Sequence, residues 1–586
     1  MEAKKIKRLP YGSSNYKSIR TENYAYVDKT MYIEMLENET NKNLFFIRPR
    51  KFGKSLFFMT LSCYYDMNEA ENFEQLFGDL YIGKHPTPER NSYAMLKFDF
   101  SGLDTSSEEG FKYSFNTKVQ DAIRFFFQNY QSFFPDIEYY LDQVDNRDSG
   151  VAAMDLVFNA AEINKLKIYF IIDEYDHFAN DLIAMGNRLG KDFYKTMVSA
   201  NGLVRDFYER IKNSTKFVPS RTFITGISPV MLDDLTSGYN ISTNLTLEEQ
   251  YNEMMGFTQD EVDWLMQETG VNPAFITIDM TAYYDGYLFN KDGANRVYNP
   301  AMVLYFFEQI LRQHKPPMSI IDENLKTDYG RLKKLTQNDS NRATVIQIIK
   351  EDGIIAEVLN KFSVDTLNDT DYFISLLFYM GLLTIKEPVM GKMRLIIPNY
   401  SIRTLYWEYV MKFVREQSPA MTIETRYLDE AITALAMEGD LKRFIAYVSE
   451  HALSKLSDHD LQHFDEKYIK ILLLAYLLMS RIYVPMSEYE AVPGRTDIYL
   501  QRSPSLPQVK YEWVFELKYC KAKAKSSEIT KLQREGEAQI KQYLGSHRLS
   551  NRPDLKAAVI VFIGKNKYRL SELCTLNITK DGSKKI

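Results

Sequence analysis

A short apolar strand that runs into a glycine-lysine-serine turn constrains this chain more than any other feature. Residues 44–48 form the predicted strand, Gly53-Lys54-Ser55 end the turn, and the apolar residues 56–59 continue as a predicted helix. A glycine at this point lets the backbone approach phosphate groups, and the first N–H groups of the helix point at them. The layout predicts a phosphate-binding loop in which Lys54 reaches the β- and γ-phosphates of a nucleotide and the Ser55 hydroxyl ligates Mg²⁺.

A second motif, far along the chain, supplies the acidic groups that such a loop needs. The apolar strand 167–173 ends at Asp173, and Glu174 follows it. Asp173 is predicted to hold the Mg²⁺ shell and Glu174 to polarise the attacking water. Each motif alone is a weak signal. Because they occur in this order and each follows an apolar strand, together they predict a site for a nucleotide and Mg²⁺.

The loop departs from the usual pattern G-x-x-x-x-G-K-[ST] at one position, because Arg48 stands in place of the first glycine. Three cationic residues, Arg48, Arg50 and Lys51, therefore crowd the loop. The sequence leaves open whether these side chains contact phosphates or are solvated.

The fourth predicted strand, residues 221–226, carries hydroxyl groups toward the same site. Thr225 and Ser228 are placed to sense the γ-phosphate, or else they are buried hydroxyls bonded to the backbone. The residues predicted to bind the nucleotide are Arg50, Lys51, Phe52, Gly53, Lys54, Ser55, Asp173 and Thr225.

Apolar strands separated by helical stretches predict the architecture of the first half. The strands are 44–48, 94–100, 167–173 and 221–226, and helices are predicted over 110–130 and 151–164. Strands that alternate with helices indicate parallel crossovers and a three-layer sandwich. The predicted class is α/β, with a P-loop nucleotide-binding domain at residues 1–246.

Two further regions follow. Residues 247–430 are predicted to be mainly helical, and the strands 383–386 and 393–397 follow a helix and can pair as a hairpin. A helix followed by a hairpin is typical of a winged-helix unit, and a helical lid with a small hairpin fits these residues equally well. Residues 420–455 are predicted to be a helical linker, and residues 431–586 contain the C-terminal α/β domain.

The C-terminal domain carries a second charged cluster, at the ends of two apolar strands. Asp497 begins one strand after Gly494, and Glu516 and Lys518 lie two apart in the next strand, so they point to one face. Two carboxylates beside a lysine are the groups that metal-assisted phosphodiester hydrolysis requires. The carboxylates are predicted to hold Mg²⁺ and the lysine to position or activate water. Glu466, on the preceding helix, is a candidate further metal ligand.

The same cluster has a simpler interpretation. Glu-x-Lys is common on exposed strands, where it forms a solvated ion pair that contributes little. The apolar neighbours 498–500 and 514–515 indicate core strands with charged ends, which favours a functional site. Gln539 and Tyr543 lie four apart on one face of the following predicted helix and are expected to support the site.

Composition excludes several classes of protein. The net charge of −6 argues against a chain coated in positive charge, although a local groove for nucleic acid is compatible with it. Residues 518–525 and Lys541 are candidates for such a groove, or form a solvated lysine face. The cysteines, Cys63, Cys520 and Cys574, are too widely spaced for a disulfide framework or a zinc site.

The chain also lacks the sequence features of membrane and secreted proteins. No apolar stretch follows the charged N-terminus, and the longest apolar run, residues 471–479, is too short to span a bilayer. We therefore expect a cytoplasmic protein without a membrane partner.

The N-terminal half resembles the AAA-ATPase-like proteins of Bacteroidetes and Clostridia. The resemblance rests on residues 9–12, 26–30, 48–55, the Asp173-Glu174 strand and residues 225–229. The usual loop of that family is R-P-R-[RK]-F-G-K-S, so Arg48 is a feature of the family. The C-terminal block is similar to the PD-(D/E)XK nuclease superfamily, whose pattern is matched by Gly494, Arg495, Asp497, Glu516, Lys518, Gln539 and Tyr543. The two resemblances imply an ATPase coupled to a nuclease with a restriction-endonuclease-like fold.

Three functions are compatible with these patterns. The first is an ATP-regulated, Mg²⁺-dependent nuclease whose partner is nucleic acid, with DNA the favoured substrate. The second is an ATP-driven signalling switch whose nuclease-like domain only binds nucleic acid or a protein. The third is a scaffold that binds nucleotide without turnover. The oligomeric state stays open, with a homo-oligomer as one option.

Overall fold

The computed structural model describes residues 6–184, 188–199, 202–231, 240–317, 319–322, 332, 335–336, 338–362, 369–417, 425–455, 466–480, 482–491, 494–503, 506–547, 549–550, 552, 554–565 and 567–573. The chain divides into two compact units. The first extends to residue 399, except that residues 316–318 and 349–351 belong with residues 400–586 in the second. Apart from those two short stretches, the segment 247–399 thus lies within the first unit, and the finer three-domain division stays a prediction. Cys574 lies outside the described residues.

A five-stranded parallel sheet forms the centre of the first unit. Its strands are β1 (Asn43–Ile47), β2 (Ala94–Asp99), β3 (Ile168–Asp173), β4 (Ser220–Gly226) and β5 (Thr243–Asn244), in the order β2-β3-β4-β1-β5. Every residue of β3 is buried, which requires cover on both faces of the sheet. Because β4 alone separates β1 from β3, the loop after β1 and the carboxylates after β3 open at the same sheet edge. The predicted P-loop α/β class is confirmed.

Helices fill the connections between these strands and continue after them. In chain order they are α1 (Tyr16–Thr21), α2 (Met31–Asn38), α3 (Lys54–Tyr65), α4 (Phe73–Phe77), α5 (Tyr81–Lys84), α6 (Glu108–Asn129), α7 (Ile137–Asp145), α8 (Gly150–Ile163), α9 (His177–Ala184), α10 (Arg188–Val198), α11 (Leu203–Ser214), α12 (Gln259–Thr269), α13 (Met280–Tyr284), α14 (Pro300–Gln313), α15 (Asp339–Lys350) and α16 (Thr370–Tyr379). Helix α3, which begins at the glycine-lysine-serine turn, packs on β2 and β3.

A small antiparallel sheet follows the helical region. Strands β6 (Ile354–Ala356), β7 (Thr384–Val389) and β8 (Lys392–Ile396) lie in the order β6-β8-β7. With α16 before the β7–β8 hairpin, this is the element order of a winged helix, one of the two arrangements that the sequence left open. Residues 372–379 of α16 are all buried, so this helix is part of a core and offers no face to a nucleic-acid groove.

The second unit is built on a mixed sheet. Strands β9 (Tyr483–Ala491), β10 (Gly494–Arg502), β11 (Glu512–Cys520), β12 (Leu555–Ile563) and β13 (Lys567–Leu573) lie in the order β13-β12-β11-β10-β9. Its helices are α17 (Tyr400–Gln417), α18 (Thr425–Met437), α19 (Leu441–His451), α20 (Glu466–Met479) and α21 (Ser526–Leu544). Helix α21 connects the parallel pair β11 and β12 and packs on both. The second unit is thus the predicted C-terminal α/β domain.

The predicted linker at 420–455 is wrong for its described part, residues 425–455. Leu428, Phe444 and Val448 of α18 and α19 are completely buried in one core with α20 and the sheet. Both helices carry apolar residues along one face, and that face needs a partner to bury it. The segment therefore belongs to the core of the second unit.

Candidate functional sites

The nucleotide loop turns from β1 into α3 through a glycine in the left-handed region. Gly53 has a φ of +94° and is the N-cap of α3, and Lys51 also has a positive φ, +66°. A side chain at residue 53 would meet nothing within 4 Å, so the backbone conformation, and not space, requires glycine there. The turn leaves the N–H groups of Lys54 and Ser55 at the open start of α3, where anions bind well.

Lys54 is held inside the loop by the backbone of the loop itself. Its Nζ donates to the carbonyl oxygens of Arg48 and Pro49, both at 3.0 Å. Burial lowers the pKa of Lys54, and the charges of Glu174 and Asp173 act in the opposite direction. The side chain is thus a buried amine beside two carboxyl groups, with two contacts that a phosphate can replace.

The two sequence motifs meet in a direct contact. Ser55 Oγ donates to Asp173 Oδ2 at 3.0 Å. Burial, together with the neighbouring Glu174, raises the pKa of Asp173 to about 6. A nearby cation stabilises the ionised form of a carboxyl group whose pKa is raised by burial. Hydroxyl and carboxylate oxygens are ligands that Mg²⁺ prefers. The pair therefore fits the predicted Mg²⁺ shell.

Glu174 lies beside a histidine that sequence reasoning missed. His177 Nδ1 is 3.4 Å from Glu174 Oε2, and His177 Nε2 is 3.4 Å from Asp181 Oδ2. Burial opposes ionisation of Glu174, but His177, Lys54 and Arg50 outweigh it and lower the pKa of Glu174 to about 2. The contact with Glu174 in turn raises the pKa of His177. Glu174 is thus an ionised carboxylate, and the one available signal for His177 was its place a helical turn after it.

Asp176 is a second missed residue, and it fixes the end of β4. It is fully buried and accepts hydrogen bonds from the N–H groups of Ile227 (3.0 Å) and Ser228 (2.7 Å) and from the Ser228 hydroxyl (2.9 Å). Ser228 is therefore bonded within the protein, to a carboxylate and not to the backbone. Thr225 Oγ1 is buried and makes no hydrogen bond to a described residue, so Thr225 stays the predicted sensor of the γ-phosphate.

A cavity of about 620 Å³ opens in front of the loop. The loop and the carboxylate motif contribute Arg50, Lys51, Phe52, Gly53, Lys54, Ser55, Glu174 and His177 to its lining, most of them polar. Its apolar lining comprises Ile19, Val27, Met254, Met255, Phe257, Leu265 and Leu304. This division suits a nucleotide, because the phosphates need polar groups and the base needs an apolar surface.

The chain segment before β1 forms part of the wall of this cavity. Residues 10–14 and 25–27 line it, together with Lys29. Lys29 Nζ donates to the Glu253 carbonyl oxygen at 2.9 Å and to Glu261 Oε2 at 2.7 Å, which fixes the segment to the start of α12. Nothing in the local sequence of this segment shows which distant residues it meets.

Arg48 takes neither of the two roles that the sequence left open. The side chain is fully buried and donates to the carbonyl oxygens of Thr246 and Tyr251, each at 2.8 Å. Its guanidinium also lies 4.1 Å from the ring centroids of both Phe46 and Phe289. Arg48 is thus neither solvated nor in the wall of the cavity, and it ties the loop to the chain after β5.

The second predicted cluster assembles at the ends of β10 and β11. The antiparallel register places Asp497 opposite Glu516, one step past the last paired residues. Asp497 Oδ2 accepts the Leu517 N–H at 2.8 Å, and Lys518 Nζ donates to Glu516 Oε1 at 2.8 Å. The side chains that the sequence proposed as catalytic therefore lie together.

Burial shapes the electrostatics of this cluster. Glu516 is 3% exposed, and burial together with Asp497 raises its pKa to about 7. Burial works against the charge of Lys518, but Glu516 and Glu466 outweigh it and raise the pKa of Lys518. Burial and Asp497 also raise the pKa of Glu466, against the effect of Lys518. Glu466, at the start of α20, is therefore within electrostatic reach of the other three.

One carboxylate oxygen of the cluster lacks a hydrogen-bond partner among the described residues. Glu516 Oε2 is buried and makes no hydrogen bond to a described residue, and a buried carboxylate oxygen in that state calls for a proton or a cation. In the part of the chain that the structure describes, no three His, Cys, Asp or Glu side chains are arranged to hold a metal ion. Mg²⁺ is commonly held by one or two carboxylates, with water and phosphate oxygens completing its shell. Asp497 and Glu516 fit that arrangement, and Glu466 as a direct ligand stays a prediction.

Helix α21 lies close to this cluster because it carries a glycine there. A Cβ on Gly536 would lie 2.6 Å from Val559 Cγ1 and 3.4 Å from Glu516 Cγ. Tyr543 is buried on the same side of the sheet, and Gln539 Oε1 is buried without a hydrogen bond to a described residue. Sequence reasoning proposed Gln539 and Tyr543 but missed Gly536, whose signal is a glycine inside a predicted helix.

Two regions of the chain match known families. Residues 10–236 match a family described as a predicted AAA-ATPase, and residues 464–572 match the PD-(D/E)XK nuclease superfamily. The architecture expected from the sequence resemblance, an AAA-ATPase-like region followed by a nuclease-superfamily region, is confirmed.

More distant similarities cover larger shares of the chain. An uncharacterized protein from the vnfD 5′ region of Azotobacter chroococcum mcd 1 is 24% identical over 451 residues, 74% of this chain and 73% of that protein. The Walker-type ATPase of Pyrococcus abyssi aligns with a TM-score of 0.37 and 14% identity, over 69% of this chain and 99% of its own. The ORC1 protein of Aeropyrum pernix, solved in complex with DNA, aligns with a TM-score of 0.28 and 9% identity, over 68% of this chain and 98% of its own.

Among the described residues, no helix combines the length and apolar character needed to cross a bilayer.

Proposed function

We propose that the first unit binds ATP with Mg²⁺ at residues 48–55 and hydrolyses it. The observation that carries this proposal is the contact between Ser55 and Asp173, at 3.0 Å, beside a cavity that also receives Lys54 and Glu174. Four groups with the chemistry of a nucleotide site converge from two distant motifs. The match to a predicted AAA-ATPase family over residues 10–236 supports ATP as the nucleotide.

Each side chain has a role that follows from its surroundings. Lys54 exchanges two carbonyl contacts for phosphate oxygens, which are stronger partners for an ammonium group. Ser55 and Asp173 hold Mg²⁺, which, when bound, neutralises charge on the phosphates. Glu174, ionised by its cationic neighbours, orients and polarises the attacking water. Thr225 donates its otherwise unused hydroxyl to the γ-phosphate.

Two substitutions test this site. Lys54→Ala should abolish binding of a fluorescent ATP analogue, whereas Glu174→Gln should keep binding and slow phosphate release by about a hundredfold or more. Lys42→Ala is a matched control, because Lys42 is 56% exposed just before β1 and pairs only loosely with Glu89, at 3.6 Å. Normal ATP binding by Lys54→Ala, or normal turnover by Glu174→Gln, would contradict the proposal.

For the second unit, we propose an Mg²⁺-dependent nuclease that cleaves phosphodiester bonds of nucleic acid, with DNA as the favoured substrate. The supporting observation is that Asp497 and Glu516 lie side by side, with Glu516 Oε2 buried and lacking a hydrogen bond to any described residue. Lys518, held by Glu516, is placed to position the attacking water or to steady the charge that develops on the phosphate. The superfamily match over residues 464–572 supports the same chemistry.

A cleavage assay with a binding control tests the nuclease. The wild-type chain should cleave plasmid DNA with Mg²⁺ or Mn²⁺, and Lys518→Met should lose cleavage while still binding ATP. RNA and single-stranded DNA in parallel reactions identify the preferred substrate. If wild-type protein with either metal and ATP leaves every nucleic acid intact, the nuclease proposal is wrong.

A second candidate is an ATP-driven switch whose nuclease-like domain only binds nucleic acid or a protein. The absence, among the described residues, of a three-carboxylate metal group favours it. Metal titration separates the two: a binding-only domain gives no Mn²⁺ binding that depends on Asp497 and Glu516. A scaffold that holds nucleotide without turnover would bind ATP tightly and release no phosphate.

A further inference from the structure

A second lysine, Lys470, lies within the nuclease-like cluster. It stands one helical turn after Glu466 on α20, and its side chain is 12% exposed. Lys470 Nζ is 3.8 Å from Asp497 Oδ1, while Asp497 Oδ2 accepts the Leu517 N–H at 2.8 Å. One oxygen of Asp497 therefore already accepts a backbone hydrogen bond and the other faces an ammonium group, so a metal ion can reach neither without a rearrangement.

The neighbouring carboxyl group is different. Lys518 Nζ occupies Glu516 Oε1 at 2.8 Å, but Glu516 Oε2 is buried without a hydrogen bond to a described residue. The cluster thus offers one open oxygen to a cation, on Glu516, and one oxygen that a lysine faces, on Asp497. A divalent ion held by Glu516 and Asp497 would find the Glu516 oxygen open and would have to compete with the Lys470 ammonium group for Asp497.

We propose that Lys470 is the internal counter-ion of Asp497 and that it competes with the divalent metal, so that it sets the metal affinity of this site. This inference rests on the proposed metal-dependent function of the same cluster. An ammonium group this close to a ligand oxygen repels an incoming dication, and without metal it relieves the repulsion among Glu466, Asp497 and Glu516. Lys470 therefore stabilises the metal-free site and weakens metal binding.

The test measures metal binding and not only cleavage. The probe is Mn²⁺ alone, titrated by calorimetry into the full chain in an Asp173→Asn background, which removes the acidic metal ligand proposed for the nucleotide site. Lys470→Met should bind Mn²⁺ about tenfold or more tightly than the background chain, since a nearby positive charge is gone. Without metal, the same variant should melt at a lower temperature. Its melting temperature should rise more than that of the background chain when Mn²⁺ is added.

Two further variants make the result specific. Lys467→Met is the matched control, because Lys467 lies on the same helix, is 46% exposed and pairs with Glu351 at 2.9 Å; its Mn²⁺ affinity should not change. Lys470→Arg keeps the positive charge and should keep weak metal binding. Lys470→Arg also keeps the proposal testable if Lys470→Met does not fold. A gain of Mn²⁺ affinity in Lys470→Arg would overturn the proposal.

The outcomes distinguish this inference from the nuclease proposal. Unchanged or weaker Mn²⁺ binding by Lys470→Met overturns the role of Lys470, even if the wild-type chain cleaves DNA. Tighter Mn²⁺ binding by Lys470→Met, with no cleavage by the wild-type chain, supports the role of Lys470 and counts against the nuclease. If neither chain binds Mn²⁺, both proposals are wrong.

Discussion

Replacing Arg48 by methionine should destabilise the first unit. It should not abolish ATP binding, as the loss of a phosphate ligand would. The guanidinium donates to the carbonyl oxygens of Ile47 (3.0 Å), Thr246 (2.8 Å) and Tyr251 (2.8 Å). Methionine is similar in length and keeps an apolar contact with the flanking ring of Phe46. It leaves the carbonyl oxygens of Thr246 and Tyr251, both in buried residues, without this donor.

Two opposing effects set the magnitude. Each buried carbonyl group left without a partner costs about 1–3 kcal/mol. Methionine also removes the cost of burying a charge, which is visible in the pKa of Arg48, lowered by burial to about 9. The second effect recovers part of the first. We therefore expect a net loss of about 2 kcal/mol in the free energy of unfolding.

Hydrogen exchange measures this loss where it occurs. Peptides that span β1 and residues 246–252 should exchange about 30-fold faster in Arg48→Met, the factor that corresponds to about 2 kcal/mol. A local probe is needed because a chain with two compact units need not unfold in a single step. Lys42→Met, at an exposed lysine before β1, should leave these peptides unchanged. If Arg48→Met shows normal exchange but loses ATP affinity as Lys54→Ala does, Arg48 is a phosphate ligand and not a structural anchor.

Two further predictions concern the second unit. Without metal, its stability should fall as pH rises from 4.5 to about 7, because burial raises the pKa of Glu516 from 4.5 to about 7 and the folded state then keeps a proton that the unfolded chain has released. Glu516→Gln should flatten this decline in thermal unfolding, and an unchanged slope would contradict the assignment. Gly536→Ala should cost about 1–2 kcal/mol, because its Cβ would lie 2.6 Å from Val559 Cγ1, whereas Gly545→Ala, with its nearest neighbour at 3.4 Å, should be neutral or stabilising. Equal melting temperatures for the two alanine variants would count against the close approach of α21.

The parts of both sites that could be predicted are those that a short stretch of sequence defines. An apolar strand before Gly53 and another before Asp173 determine where those residues lie in a parallel sheet, because such strands end at a common edge. The alternation of a strand places Glu516 and Lys518 on one face without knowledge of any other element. The family resemblance then gave these local patterns a common interpretation, an ATPase followed by a nuclease.

The parts that could not be predicted depend on distant contacts. Arg48 looks like a phosphate ligand from its neighbours, and only the carbonyl groups near residue 250 show that it is a buried anchor. His177 and Lys470 each lie a helical turn from an acidic residue, a spacing that exposed ion pairs also show. The pair of helices at 425–451 is amphipathic, yet a linker and a core element differ only in what covers the apolar face.

The two proposed functions require two independent sites for metal and phosphate in one chain. The most direct test is plasmid DNA cleavage in Mg²⁺ by the wild-type chain and by Asp497→Asn, with ATP binding measured on the same preparations. We predict cleavage by the wild-type chain, no cleavage by Asp497→Asn, and equal ATP affinity for both. Cleavage by Asp497→Asn at the wild-type rate would contradict the account, as would a loss of ATP binding together with cleavage.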